Sequence, residues 1–273
     1  MHQSDLGLIL KRTAFDERHL LLHILTPSLG CVQCVALNGR GARRFGAGLE
    51  FFTVSEFHFF SRNPDAPLRL EQVNVRTAFP HLPQDYPKYV AASFLCELSY
   101  KVVSQHPLQT EPLFKLLVNS LATLDSGQVP TPWVLVSFLG KFLQWLGAFP
   151  RLAHCAGCGR SWKSGKDQDR CAMLLDEGVW LCETCVEPAR PHFPLPLADL
   201  ATLFMVLSQP IRSLDAKIFE SFGTTPDALF DYLVRHTEYH VAGLSVLQLH
   251  SYRLIDLKYS ANPTNPLTTT QAL

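Results

Sequence analysis

Among the 273 residues of this chain, the eight cysteines have the most pointed chemistry, and four of them form two Cys-x-x-Cys pairs, Cys155-Ala-Gly-Cys158 and Cys182-Glu-Thr-Cys185. Zn²⁺ takes four thiolates at about 2.3 Å in a tetrahedron, and a Cys-x-x-Cys turn delivers two of them from one short loop. Two such turns, with residues 159–181 between them, complete the shell. The spacing therefore predicts one structural Zn²⁺ held by Cys155, Cys158, Cys182 and Cys185, with Gly157 and Gly159 suited to the tight knuckle. A shell of four protein sulfurs leaves no position for water or substrate, so the expected role is to clamp a loop-rich insert and not to catalyse.

Two disulfides, or four unrelated buried cysteines, are the alternatives. Met1-His2-Gln3-Ser4-Asp5 has neither a basic start nor an apolar stretch after it, which argues against an exported, oxidising setting and for a cytoplasmic one. Cys31-Val-Gln-Cys34 carries the same spacing inside a strand-like run, where positions i and i+3 point to opposite faces, so these two read as strand residues. Cys96, on an apolar helical face, and Cys171, between the pairs, read as packing residues, with Cys171 a conceivable substitute ligand.

A second constellation is Asn38-Gly-Arg-Gly-Ala-Arg-Arg-Phe-Gly-Ala-Gly-Leu49, which holds Arg40, Arg43 and Arg44 and no carboxylate. Guanidinium forks match phosphate oxygens, and the glycines permit close backbone approach, so this loop could lie along a nucleic-acid backbone. A solvated turn is the plain alternative. Lys11 and Arg12 extend the patch or are edge charges.

The elements that must carry these residues follow from periodicity. Hydrophobic residues make up 47% and charged residues 18%, with 24 Lys+Arg against 24 Asp+Glu, so a polyanion would have to be met by a local patch and not by the global field. No apolar run reaches the roughly 18 residues of a membrane span. Residues 6–12, 18–25, 30–37, 50–60 and 68–76 read as five strands separated by turns such as Thr26-Pro-Ser-Leu-Gly30. Five antiparallel strands suggest a small OB-fold barrel, an architecture that often presents a face and loops to oligonucleotides. Beyond Pro83 the period changes to that of helices, over 89–103, 111–124 and 133–146, with Thr110 and Thr131 as candidate N-caps and Pro132 at the first helical position. Further helix is expected over 197–208, 215–222 and 226–241, with a last turn over 244–249. The fold class is thus multi-domain α+β. Residues 1–80 form the barrel, 81–153 a first helical part, 154–190 the zinc-binding insert, 191–258 a second helical part and 259–273 a disordered tail.

In this order the segments resemble the bacterial recombination mediator family RecO. The resemblance rests on Gly7-Leu-Ile-Leu-Lys-Arg12, Asp16-Glu17, Leu25-Thr-Pro-Ser-Leu-Gly30, Gly39-Arg-Gly-Ala-Arg-Arg44, Lys141-Phe-Leu-Gln-Trp-Leu-Gly147, Pro150 and the two cysteine pairs. It implies an OB-fold followed by a helical domain with a zinc-binding insert, and no bond-breaking activity. It implies binding of single- and double-stranded DNA, annealing of complementary strands and, with RecR, loading of RecA onto DNA coated by single-strand-binding protein (SSB). Carried onto this chain, the DNA contacts are Lys11, Arg12, Arg40, Arg43 and Arg44; the SSB tail would need a basic residue beside an apolar groove, for which Lys141 between Phe138 and Phe142 is the candidate, with a helix lysine that snorkels to water as the favoured alternative. Two departures stand out: the chain is neutral where the family tends to be basic, and Phe45-Gly-Ala-Gly48 replaces the usual serine after the arginine loop.

Other classes remain in play. A protein-only, zinc-stapled adaptor is one, and a metal-dependent nuclease is another, since His236 and His240 fall four apart on one helical face. The chain has no His-Glu-x-x-His, Gly-x-Ser-x-Gly or phosphate-loop motif.

Overall fold

The computed structural model describes residues 1–41, 45–63, 66–105, 109–164, 169–214 and 226–259. The first five strands, β1 (His2–Ala14), β2 (Leu20–Leu25), β3 (Cys31–Ala36), β4 (Thr53–Phe60) and β5 (Leu68–Ala78), close into a barrel in the order β1-β2-β3-β5-β4. β1 is long enough to serve two neighbours: its first half pairs with β4 from His2↔Phe60 to Leu8↔Val54, and its second half pairs with β2 down to Ala14↔Leu20. A bulge between Ile9 and Lys11 marks the change of partner, as bulges do where a barrel strand bends. A short parallel contact, Cys34↔Leu68, joins β3 to β5.

Alternation along the strands divides the barrel's apolar residues between two cores. Ile9, Leu22, Ile24, Cys34, Phe57, Phe59 and Leu70 fill the barrel interior, while Leu8, Leu10, Leu25, Phe52 and Val54 face outward into the helices. This is why Gly7–Leu10 of β1 is buried without alternation: both of its faces are covered.

The helices are α1 (Tyr86–Val103), α2 (Glu111–Ser126), α3 (Thr131–Trp145), α4 (Leu197–Ser208), α5 (Pro226–His240) and α6 (His250–Tyr259). α3 lies at the centre, packed against α1, α2, α4 and α5, with Val134, Val136, Phe138, Leu139, Phe142 and Leu143 wholly buried. None of the described helices is long and apolar enough to cross a membrane.

Several helix ends differ from expectation. α1 begins three residues earlier than its apolar period, because the Asp85 carboxylate accepts the N–H of Lys88 and caps it. Thr110 stands at the N-cap of α2, but its hydroxyl donates to the Thr26 carbonyl at 2.7 Å and ties the helix to the barrel's β2–β3 turn. Thr131 is already helical; the cap position belongs to Pro130. α6 lies beyond the last turn expected from the sequence; its first N–H groups, from His250 and Ser251, donate to the Glu97 carboxylate on α1. The expected helix over 215–222 and the tail beyond residue 259 lie outside the described residues.

The cysteine region is more regular than a loop-rich insert. β6 (Arg170–Leu174), β7 (Val179–Cys182) and β8 (Phe193–Pro196) form an antiparallel sheet in the order β7-β6-β8. β6 and β7 are too short for a period to show, and they are buried nearly throughout, so neither alternates. Pro194 and Pro196 sit in β8, an edge strand where a missing N–H is tolerated.

Candidate metal centre and nucleic-acid interface

The sulfurs of Cys155, Cys158, Cys182 and Cys185 all lie within 4.8 Å of one another, the only such metal-competent cluster of His, Cys, Asp and Glu among the described residues. Each pair occupies a turn that curls the backbone around its first sulfur. In the first, Gly159 N–H donates to Cys155 O at 2.9 Å; in the second, Cys185 N–H donates to Cys182 O at 2.9 Å. The turns are locked together, because Cys182 N–H donates to Cys155 Sγ at 3.3 Å and Ala156 N–H to Trp180 O at 2.9 Å. Two glycines make the curl possible: a Cβ on Gly157 would come within 2.9 Å of Cys185 Cβ, and Gly159 holds φ of +72°.

These N–H groups also prepare the sulfurs for a cation. Against the desolvation that opposes it, the backbone N–H groups of Cys158, Cys182 and Gly157 hold the Cys155 thiol below its ordinary value. Against the same opposing burial, the Thr184 hydroxyl and the neighbouring thiols bring Cys182 down to about 6. Hydrogen bonding to Cys182 and Cys158 instead pushes Cys185 up to about 12, as expected where four sulfurs share protons that a divalent cation would displace. The donor set of four clustered sulfurs with N–H support fits a soft-ligand structural ion such as Zn²⁺.

The remaining cysteines stand apart. Cys31 and Cys34 occupy β3, and burial alone pushes their thiols up to about 11 and about 12. Cys171, cross-strand from Cys182, donates its thiol to Leu195 O at 3.3 Å and is likewise pushed up to about 12, chiefly by burial. It packs in the sheet and is no member of the cluster.

The insert is fastened to the helices beneath it. Trp180 Nε1–H donates to Leu152 O at 3.0 Å, and Arg151 N–H to Gly178 O at 2.8 Å. From α5, His236 Nε2 meets Ala148 O at 2.8 Å and His240 Nε2 meets Leu175 O at 2.7 Å. Those bonds engage one nitrogen of each ring as a donor, and among the described residues no third His, Cys, Asp or Glu joins the pair to complete the metal cluster that the nuclease alternative needs. Burial, with a smaller push from His240, lowers His236 to about 4 despite the opposing Ala148 carbonyl.

The basic candidates lie at the other end of the chain. Arg40 is exposed, donating from its backbone N to Arg18 O at 3.1 Å and from Nη1 to Asp16 O at 3.2 Å. The loop after β3 is thereby joined to the β1–β2 turn. Lys11 and Arg12 diverge: Lys11 Nζ sits 5.0 Å from the centroid of the Tyr100 ring on α1, whereas Arg12 stacks on Phe51 at 5.1 Å and donates to Leu49 O at 3.0 Å. Arg12 also faces Glu50 at 3.5 Å, a surface pair worth about 0–1 kcal/mol. Arg43 and Arg44 lie outside the described residues. Arg18 and Phe15 share this rim; only the turn that folds residues 15–19 against residue 40 brings them there, which the linear pattern does not express.

The two phenylalanines expected to flank a partner site at Lys141 face the core. Phe138 and Phe142 stack on each other at 5.7 Å, are 0% exposed and belong to the helical core. Lys141 Nζ donates to Leu207 O at 2.8 Å, closing α3 onto the end of α4, and partial burial lowers its pKa.

Sequence comparison places this architecture among known proteins. Residues 1–79 match the family described as Recombination protein O N terminal, and residues 83–245 match Recombination protein O C terminal. A "DNA repair protein RecO" of Anaeromyxobacter sp. (strain K) is 32% identical over 198 residues, spanning 72% of this chain and 76% of the relative. One from Symbiobacterium thermophilum is 29% identical over 208 residues, 76% of this chain and 80% of the relative. One from Nocardioides sp. is 29% identical over 241 residues, 87% and 96% of the two chains.

Proposed function

Because the chain belongs to the recombination protein O family, whose curated relatives are DNA repair proteins, we propose that it is a DNA repair and recombination mediator. On this reading it binds single- and double-stranded DNA, anneals complementary strands and, with RecR, helps load RecA onto SSB-coated DNA. We read residues 1–80 as an OB-fold, a reading supported by the closed order β1-β2-β3-β5-β4. The observation that carries the functional reading is the basic rim of that barrel, where the exposed Arg40 is joined to the β1–β2 turn that bears Arg18.

Phosphate contacts at such a rim attract two strands without regard to sequence, and base pairing then supplies specificity and driving force. No covalent bond is made or broken, so the protein acts as a mediator and not an enzyme. The four cysteines would hold one structural Zn²⁺, which supplies rigidity to the insert and leaves no open coordination position. The chain's own N–H groups orient the sulfurs, and His240 and Trp180 seat the insert on α5 and the segment before it. The nucleoid-associated cytoplasm is the setting that goes with this role.

The test is annealing of SSB-coated complementary oligonucleotides with the wild-type protein and with the Arg40→Ala, Arg43→Ala, Arg44→Ala variant. The wild type should accelerate annealing. The variant should anneal more slowly and reduce the salt slope of single-strand binding by about 0.7 per lost phosphate contact. Acceleration by neither protein, with no gel shift at low salt, would favour the protein-only adaptor; cleavage of a labelled strand would favour the nuclease.

A further inference from the structure

Phe15 is 62% exposed at the turn between β1 and β2, although the chain has ample apolar core in which to bury an aromatic ring. The turn is not loose. Phe15 N–H donates to His19 O at 3.0 Å, and one Asp16 carboxylate oxygen accepts from Arg18 N at 2.8 Å, His19 N at 2.7 Å and His19 Nδ1 at 2.8 Å. Arg40 then braces the turn from the neighbouring loop through Asp16 O and Arg18 O. A rigid tip thus holds an aromatic ring in solvent, and among the described residues no ring or cation covers it.

The surroundings select an occupant. Arg18 and Arg40 stand at this turn, joined by the Arg40 N–H to Arg18 O bond, against Asp16 and Glu17. Asp16 is already occupied by the turn's own N–H groups. An apolar protein surface would not call for two guanidinium groups beside the ring, and an acidic peptide would not call for a bare ring. A chain that alternates phosphates with flat π-faces calls for both.

We propose that Phe15 is a specificity-determining residue that stacks on an unpaired base while the rim arginines hold the flanking phosphates, so that the barrel distinguishes single-stranded from duplex DNA. In a duplex the base faces are already stacked and shielded, so the ring gains nothing and only the phosphate contacts remain. This rests on the DNA-binding reading above and assigns it a determinant of strand preference.

The test compares wild type with Phe15→Ala, Phe15→Leu and Phe15→Trp by fluorescence anisotropy, on a labelled mixed-sequence single strand and on its duplex, across a salt series. Stacking is worth about fivefold to a hundredfold in affinity per base. Phe15→Ala and Phe15→Leu should lose single-strand affinity on that scale, Phe15→Trp should retain it, and duplex affinity and both salt slopes should stay unchanged. Equal losses on single strand and duplex, or full affinity in Phe15→Leu, would overturn the stacking role. Wild-type protein that binds neither probe at low salt would overturn the DNA-binding reading itself, and circular dichroism distinguishes both outcomes from misfolding of this exposed position.

Discussion

The chain contains the Cys-x-x-Cys pattern in two very different settings. In the barrel, Cys31 and Cys34 lie on an extended strand, on opposite faces, and apolar burial keeps both thiols protonated. In the insert, Cys155 and Cys158 lie on a turn that aims backbone N–H groups at sulfur, and a second turn brings Cys182 and Cys185 within 4.8 Å. Backbone conformation decides the chemistry of the pair, because only a curled backbone puts residues i and i+3 on the same side.

The largest effect should follow from attacking the insert. Cys155→Ser is expected to abolish Zn²⁺ binding and, with it, the folding of residues 154–190, because metal affinity and folding free energy are the same quantity in such a site. Elemental analysis should fall from about one zinc per chain to none, with increased proteolysis confined to the insert. Retention of a full equivalent of zinc would refute the site. Single-strand binding at the barrel should survive, since the sulfurs and the rim belong to different elements.

Next is His236, which ties α5 to Ala148 just ahead of the insert. His236 is depressed to about 4 in the folded chain against about 6.5 unfolded, so the unfolded state binds more protons between those values. Its stabilising contribution is fully present above about pH 6.5 and is lost as pH falls toward 4, on the order of 2–3 kcal/mol. Urea unfolding at pH 7 and pH 4.5 should show a smaller acid loss in His236→Gln, which retains a side-chain donor for Ala148 O. An identical acid loss in both proteins would remove His236 as the cause.

The barrel pair should behave in the opposite way to the insert pair. Cys34→Ser places a hydroxyl in an apolar interior and should destabilise by about 1–3 kcal/mol in chemical unfolding, with zinc content unchanged. Smallest of all, Cys31→Ser at a half-buried position should change stability by about 0.5 kcal/mol or less and leave the zinc untouched. A loss of zinc in either variant would mean that the two regions are not chemically separate.

Much of this contrast was legible in the linear chain. The strand-like run around Cys31 and the glycines around Cys158 distinguish the pairs before any coordinates, and the periods of five strands and most helices are strong enough to place them. What failed did so for identifiable reasons. The insert's two short strands, β6 and β7, carry no period because they are buried on both faces. Phe138 and Phe142 adjoin Lys141 in sequence but turn inward on the most enclosed helix, where they cannot flank a surface site. Lys11 and Arg12 adjoin in sequence and diverge in space.

By itself the sequence determined which residues could ligate a metal, which loop carries arginines without acids, and where the period changes from strand to helix. Those are local properties, set by residue type and spacing. Only the tertiary structure decided that the four sulfurs converge, that His236 and His240 donate to carbonyls, and that Phe15 stands uncovered beside Arg40. Each of these depends on segments far apart in the chain, and what they meet is fixed by packing and hydrogen-bond satisfaction across the whole fold.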